Sequence, residues 1–263
     1  SDLAALLTQA QNVAIGKTKL TVGRAFALAI MAGMLIATGA TFMLLVKSDS
    51  TLSFGPSQVL GGLAFSLGLL CVIVAGAELF TGNSLMVMAA LSKKISWVEL
   101  VKNWVVVWVG NFIGSLILVC IIVGCGLMGT KAGDNTVGAQ MVAVASGKIG
   151  LDPAQIFFRG IMCNFLVCLA VWMGFCGRTV IDKIFTAIFP VMAFVAMGFE
   201  HCVANMFFLP MGYVAALSGY GSATITVGGI CVNLVFATLG NIVGGAVFVG
   251  LCYWLAYRKQ DEA

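Results

Sequence analysis

The sequence predicts an all-α integral membrane protein of six transmembrane helices, built as two inverted three-helix repeats with the second and fifth spans interrupted. Of the 263 residues, 61% are hydrophobic and only 9% are charged, whereas a soluble domain carries about 25% charged residues. Six long apolar runs and two motifs that each occur twice support the rest of the prediction. The length leaves room for one domain, residues 1–263, nearly all of it in the bilayer.

Each predicted span is a run of roughly 20 or more apolar residues, the length that crosses a hydrocarbon core. The second and fifth runs are too long for one straight crossing, which predicts a break inside each. Residues 1–25 mix polar and apolar side chains, as in an amphipathic helix at the membrane surface. The six spans, within residues 26–257, are 26–46, 59–91, 104–128, 156–176, 187–217 and 227–257.

The lysines and arginines predict the orientation of these spans. An even number of crossings puts both ends of the chain on one side. Ten basic residues lie on the side of the two ends and three lie on the other. Because basic residues concentrate in cytoplasmic segments, both termini are predicted to be cytoplasmic.

Two motifs recur in the second half of the chain at similar offsets. G-x-E-x-x-x-x-N occurs at residues 76–83 in span 2 and at residues 198–205 in span 5. G-N-x-x-G occurs at residues 110–114 in span 3 and at residues 240–244 in span 6. Because each repeat has an odd number of crossings, the halves must have opposite orientations, with the solute path at their interface.

Glu78 and Glu200 are the acidic residues that lie deep within spans, and they occupy the same place in the repeat. A carboxylate in hydrocarbon is costly unless it is paired or hydrogen-bonded. Where a span breaks, free backbone N–H groups at the start of its second half can bind a carboxylate. We therefore expect each glutamate, with Asn83 or Asn205, to support its own helix break, and direct contact with the solute is the alternative.

His201 is the only histidine in the chain, and it follows Glu200 at the second break. A histidine there can donate a hydrogen bond to an anion and can titrate near neutral pH. The alternative is a neutral histidine that satisfies the helix break. Asn164, in the middle of span 4, either lines the path or holds two helices together. Periodicity alone assigns the following residues to the apolar core: Phe65, Leu69, Leu79, Phe80, Val167 and Phe194.

The cysteines indicate no cofactor. The chain has nine cysteines, all in or beside apolar stretches, and contains no C-x-x-C. With a single histidine besides, a zinc site and disulfides are not expected, and the cysteines are predicted to be small core residues. A net charge of +4 is too small to indicate nucleic acid as a partner.

The motifs resemble those of the formate–nitrite transporter family. The similar segments are residues 76–82, 164–172, 198–206 and 238–244, and the resemblance extends from about residue 14 to residue 257. Within the family, the sequence is most similar to the bacterial hydrosulfide channel branch. The resemblance implies an aquaporin-like protomer, a homopentamer with one pore per protomer, and a place in the bacterial cytoplasmic membrane.

The resemblance also implies roles for the candidate residues. His201 would sit in a small chamber between two apolar constrictions, with Thr81 and Asn164 nearby. Lys148 would lie at the outer vestibule and concentrate anions there, although a loop lysine is by itself usually just solvated. The remaining residues would be Leu69 and Leu79 at the cytoplasmic constriction, Phe65, Val167 and Phe194 at the outer one, and Leu79, Phe80 and Thr81 on the loop that interrupts span 2.

The expected function is a membrane channel for small monovalent weak-acid anions, with hydrosulfide first and formate or nitrite next. His201 would offer the anion a proton or a hydrogen bond. A proton-coupled transporter of the same anions is one alternative. A neutral-solute channel is another, although the Asn-Pro-Ala pair typical of such channels is absent. A membrane redox enzyme is disfavoured because one histidine cannot provide bis-histidine haem ligation, and no catalysis is expected.

Overall fold

The computed structural model describes residues 3–130 and 136–258, and these segments are helical almost throughout. Two 3₁₀ turns (Gly82–Met86 and Leu127–Gly129) and one π-helical stretch (Val243–Leu251) interrupt the α-helices. The helices are α1 (Leu3–Thr18), α2 (Val22–Lys47), α3 (Phe54–Ala75), α4 (Val87–Leu91), α5 (Trp97–Gly124), α6 (Val137–Ile149), α7 (Pro153–Gly174), α8 (Val180–Ala196), α9 (Cys202–Leu217), α10 (Val227–Ile242) and α11 (Cys252–Tyr257).

The six crossings with two interruptions are confirmed. In the described residues, five helical segments are long and apolar enough to span a membrane, namely α2, α3, α5, α7 and the continuous Val227–Tyr257. The fifth crossing consists of α8 and α9, which are separated by residues 197–201. After α3, the second crossing continues through the short apolar segment Gly82–Leu91.

Several helices begin before the predicted apolar run, because polar caps precede it. Ser96 forms a capping box with Glu99, so α5 begins at Trp97. Thr179 forms one with Asp182, so α8 begins at Val180. A capping box satisfies orphan N–H groups at the first turn of a helix, whereas hydropathy detects only the apolar residues that follow.

The amphipathic N-terminal segment is a helix in the structure, but its apolar face lies against protein. Leu6, Leu7 and Ala10 of α1 are buried in a cluster that includes Trp172 and Trp254. Gln11 on the same face donates to Ser92 Oγ over 2.8 Å. The helix therefore packs on α4 and α11, and its assignment to the cytoplasm stays a prediction.

A helix precedes α7 where the sequence analysis placed a loop. Lys148 lies in the last turn of this helix, α6, which packs against α9. With 13 residues of mixed polarity, α6 is too short and too polar to be detected as a span. It corresponds to α1, which has Lys17 in its last turn and packs against α4, so each repeat contains a short helix followed by three crossings.

The packing of the spans follows the same repeat. In the first half α2 packs against α3 and α5, and in the second half α7 packs against α8 and α10. The broken spans also meet, because α3 packs against α8. This arrangement brings the two breaks to the middle of the molecule.

Candidate functional site

Both broken spans end their first half in the same way. Gly76 and Gly198 have positive φ angles of 80° and 70°, a conformation that favours glycine. The glycine turns the chain out of the helix while the next residue still bonds to the last helical turn. These bonds run from Ala77 N to Val72 O and from Phe199 N to Phe194 O, over 3.1 and 3.0 Å.

An asparagine from the third span of each half supports the break. Asn111 Oδ1 accepts from Phe80 N–H over 3.0 Å, and Asn111 Nδ2 donates to the Glu78 carbonyl over 2.9 Å. Asn241 is its equivalent: Oδ1 accepts from Cys202 N–H over 2.8 Å, and Nδ2 donates to the Glu200 carbonyl over 2.8 Å. These asparagines are the N of G-N-x-x-G, to which the sequence analysis assigned no role. The signal available was a repeated amide inside an apolar span.

The expectation that backbone N–H groups bind the glutamates is wrong. Glu78 Oε1 pairs with Lys17 Nζ over 2.5 Å, and Oε2 accepts from Asn83 Nδ2 over 2.7 Å. Asn83 Nδ2 also donates to Asn103 Oδ1 over 2.9 Å. Because Asn111 takes the N–H of Phe80, the carboxylate supports the break through side chains, and sequence reasoning missed Lys17 and Asn103.

Glu200 has an equivalent set of partners. Its Oε1 pairs with Lys148 Nζ over 2.9 Å. Its Oε2 accepts from Asn205 Nδ2 over 2.6 Å and from Asn233 Nδ2 over 3.0 Å. A buried carboxylate with a cation and two amide donors meets the requirement for a charge inside hydrocarbon. Lys148 is therefore a structural partner of the break as well as a candidate vestibule residue.

Two cavities approach the middle of the molecule, one beside each ion pair. The Lys148 cavity has a volume of about 350 Å³ and the Lys17 cavity about 390 Å³. Phe65 and Phe194 line the first cavity, and Leu69 and Leu79 line the second. Both residues of the predicted cytoplasmic constriction thus lie at one cavity, and two of the three residues of the predicted outer constriction lie at the other.

The other aromatic and branched candidates lie elsewhere. Phe80 lines neither cavity; its ring lies 6.2 Å from that of Trp104, towards a groove along α5 and α10. Val167 is buried in the core and also lines neither cavity. Phe208, which sequence reasoning missed, stacks 6.3 Å from Phe65 and lies beneath the Lys148 ammonium group.

His201 lines the Lys148 cavity and contacts Thr81, which lines neither cavity. His201 Nδ1 accepts from Ala204 N–H over 3.0 Å, which makes His201 the N-cap of α9. Its Nε2 lies 3.0 Å from Thr81 Oγ1. Because Nδ1 is an acceptor, the neutral ring carries its proton on Nε2 and donates it to Thr81. His201 is 2% exposed and Thr81 is 0% exposed. The histidine therefore satisfies the helix break, which is one of the two alternatives that the sequence analysis left open. Its contact with a solute stays a prediction.

Asn164 binds the interrupted second span to the sixth. Its Nδ2 lies 2.7 Å from Asn241 O, 3.1 Å from Thr81 O and 3.1 Å from Ser84 Oγ. The side chain is fully buried and lines neither cavity. The structure therefore supports the helix-joining role of Asn164, and contact with the solute stays a prediction.

Gly245 allows this contact, because the π-helical stretch passes directly over Asn164. A Cβ at Gly245 would lie 2.7 Å from Ser84 Cβ and 2.8 Å from Cys168 Sγ, and would also overlap Asn164 Nδ2. We expect Gly245→Ala to destabilise the protein by about 1–3 kcal/mol, the usual cost of overpacking, and to lower flux. Thermal unfolding in detergent measures the first effect. Gly228→Ala, in the same span with no neighbour within 4 Å, is the control and should match the wild type.

An inverted repeat of six crossings, with two broken spans, a buried polar pair that joins the breaks and a cavity beside each break, defines a membrane channel or transporter for a small solute. The sequence profile described as "Formate/nitrite transporter" matches residues 4–255. The chain belongs to the formate/nitrite transporter family.

Three relatives illustrate this membership. The "Formate channel FocA" of Escherichia coli (strain K12) is 37% identical over an alignment of 273 residues, gaps included. The alignment covers 98% of this chain and 95% of that protein. A solved structure described as "Pentameric formate channel with formate bound" is 43% identical, with a TM-score of 0.83 over 90% of this chain and 98% of that chain. Another, "FNT family ion channel", is 29% identical, with a TM-score of 0.85 over 96% of this chain and 98% of that one. The aquaporin-like, multi-pass fold and the family are confirmed, while the expected placement in the hydrosulfide branch finds no support in these relatives.

Proposed function

We propose that this protein is a membrane channel for small monovalent anions of weak acids, with formate as its first substrate. Formate replaces hydrosulfide as the first expected substrate because two of the relatives are named as formate channels. Nitrite and hydrosulfide follow as solutes of similar size and charge. The observation that carries the proposal is the buried Thr81–His201 pair, whose histidine lines the cavity that contains Lys148.

The apolar residues that line the two cavities explain why the solute should be a weak acid. A bare anion loses its hydration when it passes Phe65 and Phe194 or Leu69 and Leu79, and that loss is costly. A neutral acid loses much less hydration free energy when it passes the same residues. An anion that keeps a strong hydrogen bond during passage also loses less free energy.

We assign that hydrogen bond to Thr81, the partner of the cavity-lining His201. Its Oγ1 accepts from His201 Nε2, and among the described residues no group accepts the proton of the Thr81 hydroxyl. That proton is therefore left for a passing anion, and the histidine strengthens it as a donor by polarising the hydroxyl. Because Ala204 N–H occupies Nδ1, the ring acts as a hydrogen-bond donor through Thr81, and the proton of a neutral acid comes from water.

Flux in proteoliposomes tests the proposal. We expect formate, nitrite and hydrosulfide to pass at least about tenfold faster than chloride, because chloride cannot be protonated near neutral pH and loses its hydration uncompensated. Flux of the weak acids should also rise as the pH falls from 8 to 5. Stopped-flow measurement in liposomes with and without protein gives both quantities. Chloride flux equal to formate flux would contradict the proposal and indicate a general anion pore.

Proton-coupled transport of the same anions is a second candidate, favoured by the inverted repeat with broken helices. The apolar residues of the two predicted constrictions are buried, as they would be in a transporter that opens to one side at a time. Uptake against a formate gradient, driven by an imposed proton gradient and abolished by an uncoupler, would support this candidate. A channel would only equilibrate formate.

We further propose that the chain forms a homopentamer in a bacterial cytoplasmic membrane, with both termini cytoplasmic and a pore in each protomer. One solved relative is described as pentameric, and many of the apolar side chains on the outside of the spans are exposed. Lipid and neighbouring protomers would cover that surface. Native mass spectrometry from detergent tests the stoichiometry.

A further inference from the structure

The two cavities differ in charge although the repeat makes them equivalent in position. Three cations, Lys47, Lys148 and Arg159, line the Lys148 cavity together with one carboxylate, Glu200. Among the described residues, the Lys17 cavity is lined by a single lysine and a single carboxylate, and these two form an ion pair. The Lys148 cavity therefore carries an excess of positive charge, and the Lys17 cavity does not.

Arg159 occupies a position where the other half has leucine. The Arg159 carbonyl accepts from Glu200 N–H, and the Leu28 carbonyl accepts from Glu78 N–H, both over 3.3 Å. Leu28 lines the Lys17 cavity as Arg159 lines the Lys148 cavity. The guanidinium donates from Nη1 to the Gly198 carbonyl over 3.2 Å and has no carboxylate partner among the described residues. The fold thus does not require a cation at this position.

Lys47 is the second cation that is confined to one side. It ends α2, is partly buried, and its stem lies over Gly61. In the described part of the chain its ammonium group has neither a carboxylate nor a hydrogen-bond acceptor. It lies near enough to Lys148 for the two ammonium groups to repel each other. Asp49, which follows closely in the chain, lines neither cavity.

We propose that Lys47 and Arg159 make the Lys148 cavity an anion-collecting site, so that the protein takes up monovalent anions with higher apparent affinity from this face than from the Lys17 face. A mouth with unpaired cations and low-dielectric walls raises the local anion concentration. The positive charge of the Lys148 cavity changes the anion concentration at which that face saturates. It does not change the driving force for flux, so no net flux results at equilibrium. The inference rests on the proposed function, to which it adds a difference in apparent affinity between the two faces and the two residues that cause it.

The test is the half-saturating formate concentration at each face, measured as the initial rate of formate uptake into proteoliposomes that present one known face outwards. A tag on the C-terminus marks the Lys17 face, since α11 contacts α1 there. For wild type we expect the lower value at the Lys148 face. Removing one charge in Lys47→Gln should raise that value roughly threefold to tenfold and leave the other face unchanged. Lys47→Arg keeps the charge and should behave as wild type.

The control is Lys102→Gln, which removes an exposed lysine that lines neither of the two cavities. Sulfate on the wild type is an independent measurement: it should compete with formate at the Lys148 face more strongly than at the other. Equal half-saturating concentrations at the two faces, or Lys47→Gln indistinguishable from Lys102→Gln, would overturn the inference and leave the proposed function standing. A wild type that conducts none of the weak-acid anions would overturn the proposed function and the inference together.

Discussion

Replacing His201 with phenylalanine is expected to lower formate flux about 10- to 100-fold, because the wall of the Lys148 cavity loses the hydrogen bond between His201 and Thr81. A buried hydrogen bond that loses one partner costs about 1–3 kcal/mol, and about 1.4 kcal/mol corresponds to a factor of ten. The ring also caps α9 through Ala204 N–H. Loss of this N-cap should lower the stability by about 0.5–2 kcal/mol. Stopped-flow flux and thermal unfolding measure the two effects separately.

Two further variants separate permeation from folding. Asparagine is a good N-cap, so His201→Asn should keep most of the stability and still lose flux, since its amide is too short to reach Thr81 in the same way. Thr81→Val is nearly isosteric and removes only the hydroxyl that the ring contacts. It should lower flux with little change in unfolding. His201→Phe with wild-type flux and wild-type pH dependence would show that the pair does not act on the solute.

Replacing Lys148 with methionine is expected to destabilise the protein by about 3–5 kcal/mol, because a buried carboxylate is left without its cation. Glu200 is 2% exposed and its Oε1 pairs with Lys148. Its two amide partners remain but carry no charge. The midpoint of thermal unfolding in detergent should fall accordingly, and flux should fall with it because the second break loses its support.

A double-mutant cycle identifies the ion pair as the cause. Lys148→Met combined with Glu200→Gln removes both charges, and we expect it to recover most of the lost stability. Lys17→Met, at the equivalent pair, should act in the same direction but less strongly, since the Lys17 side chain is 21% exposed against 15% for Lys148. Wild-type stability of Lys148→Met alone would mean that the buried pair does not support the break.

Much of the fold could be predicted because its determinants are local. A span is recognised from roughly 20 consecutive apolar residues, and the two breaks were recognised from motifs of eight residues at Gly76 and Gly198. The short helix α6 could not be recognised, since its length and mixed polarity resemble those of a loop. The starts of α5 and α8 lie outside the apolar runs because polar caps define them.

The main residues of the candidate site could be predicted, but the hydrogen bonds and ion pairs that join them could not. His201, Glu78 and Glu200 stand out because ionisable groups are rare in spans. Their partners do not stand out, because Lys17 lies at the end of an amphipathic helix and Asn111 belongs to another span. Sequence separation between the partners, as large as 120 residues for Thr81 and His201, leaves no local pattern to read.

The sequence by itself determined the six crossings, their inversion and the place of the breaks, because hydropathy and repeated motifs depend only on neighbouring residues. Only the tertiary structure decided which groups satisfy the buried carboxylates and which nitrogen of His201 carries the proton. It also showed that the two cavities, equivalent by the repeat, carry different charge, with Arg159 in one where Leu28 lies in the other. These properties depend on distances between segments far apart in the chain, and such distances are fixed when the helices pack.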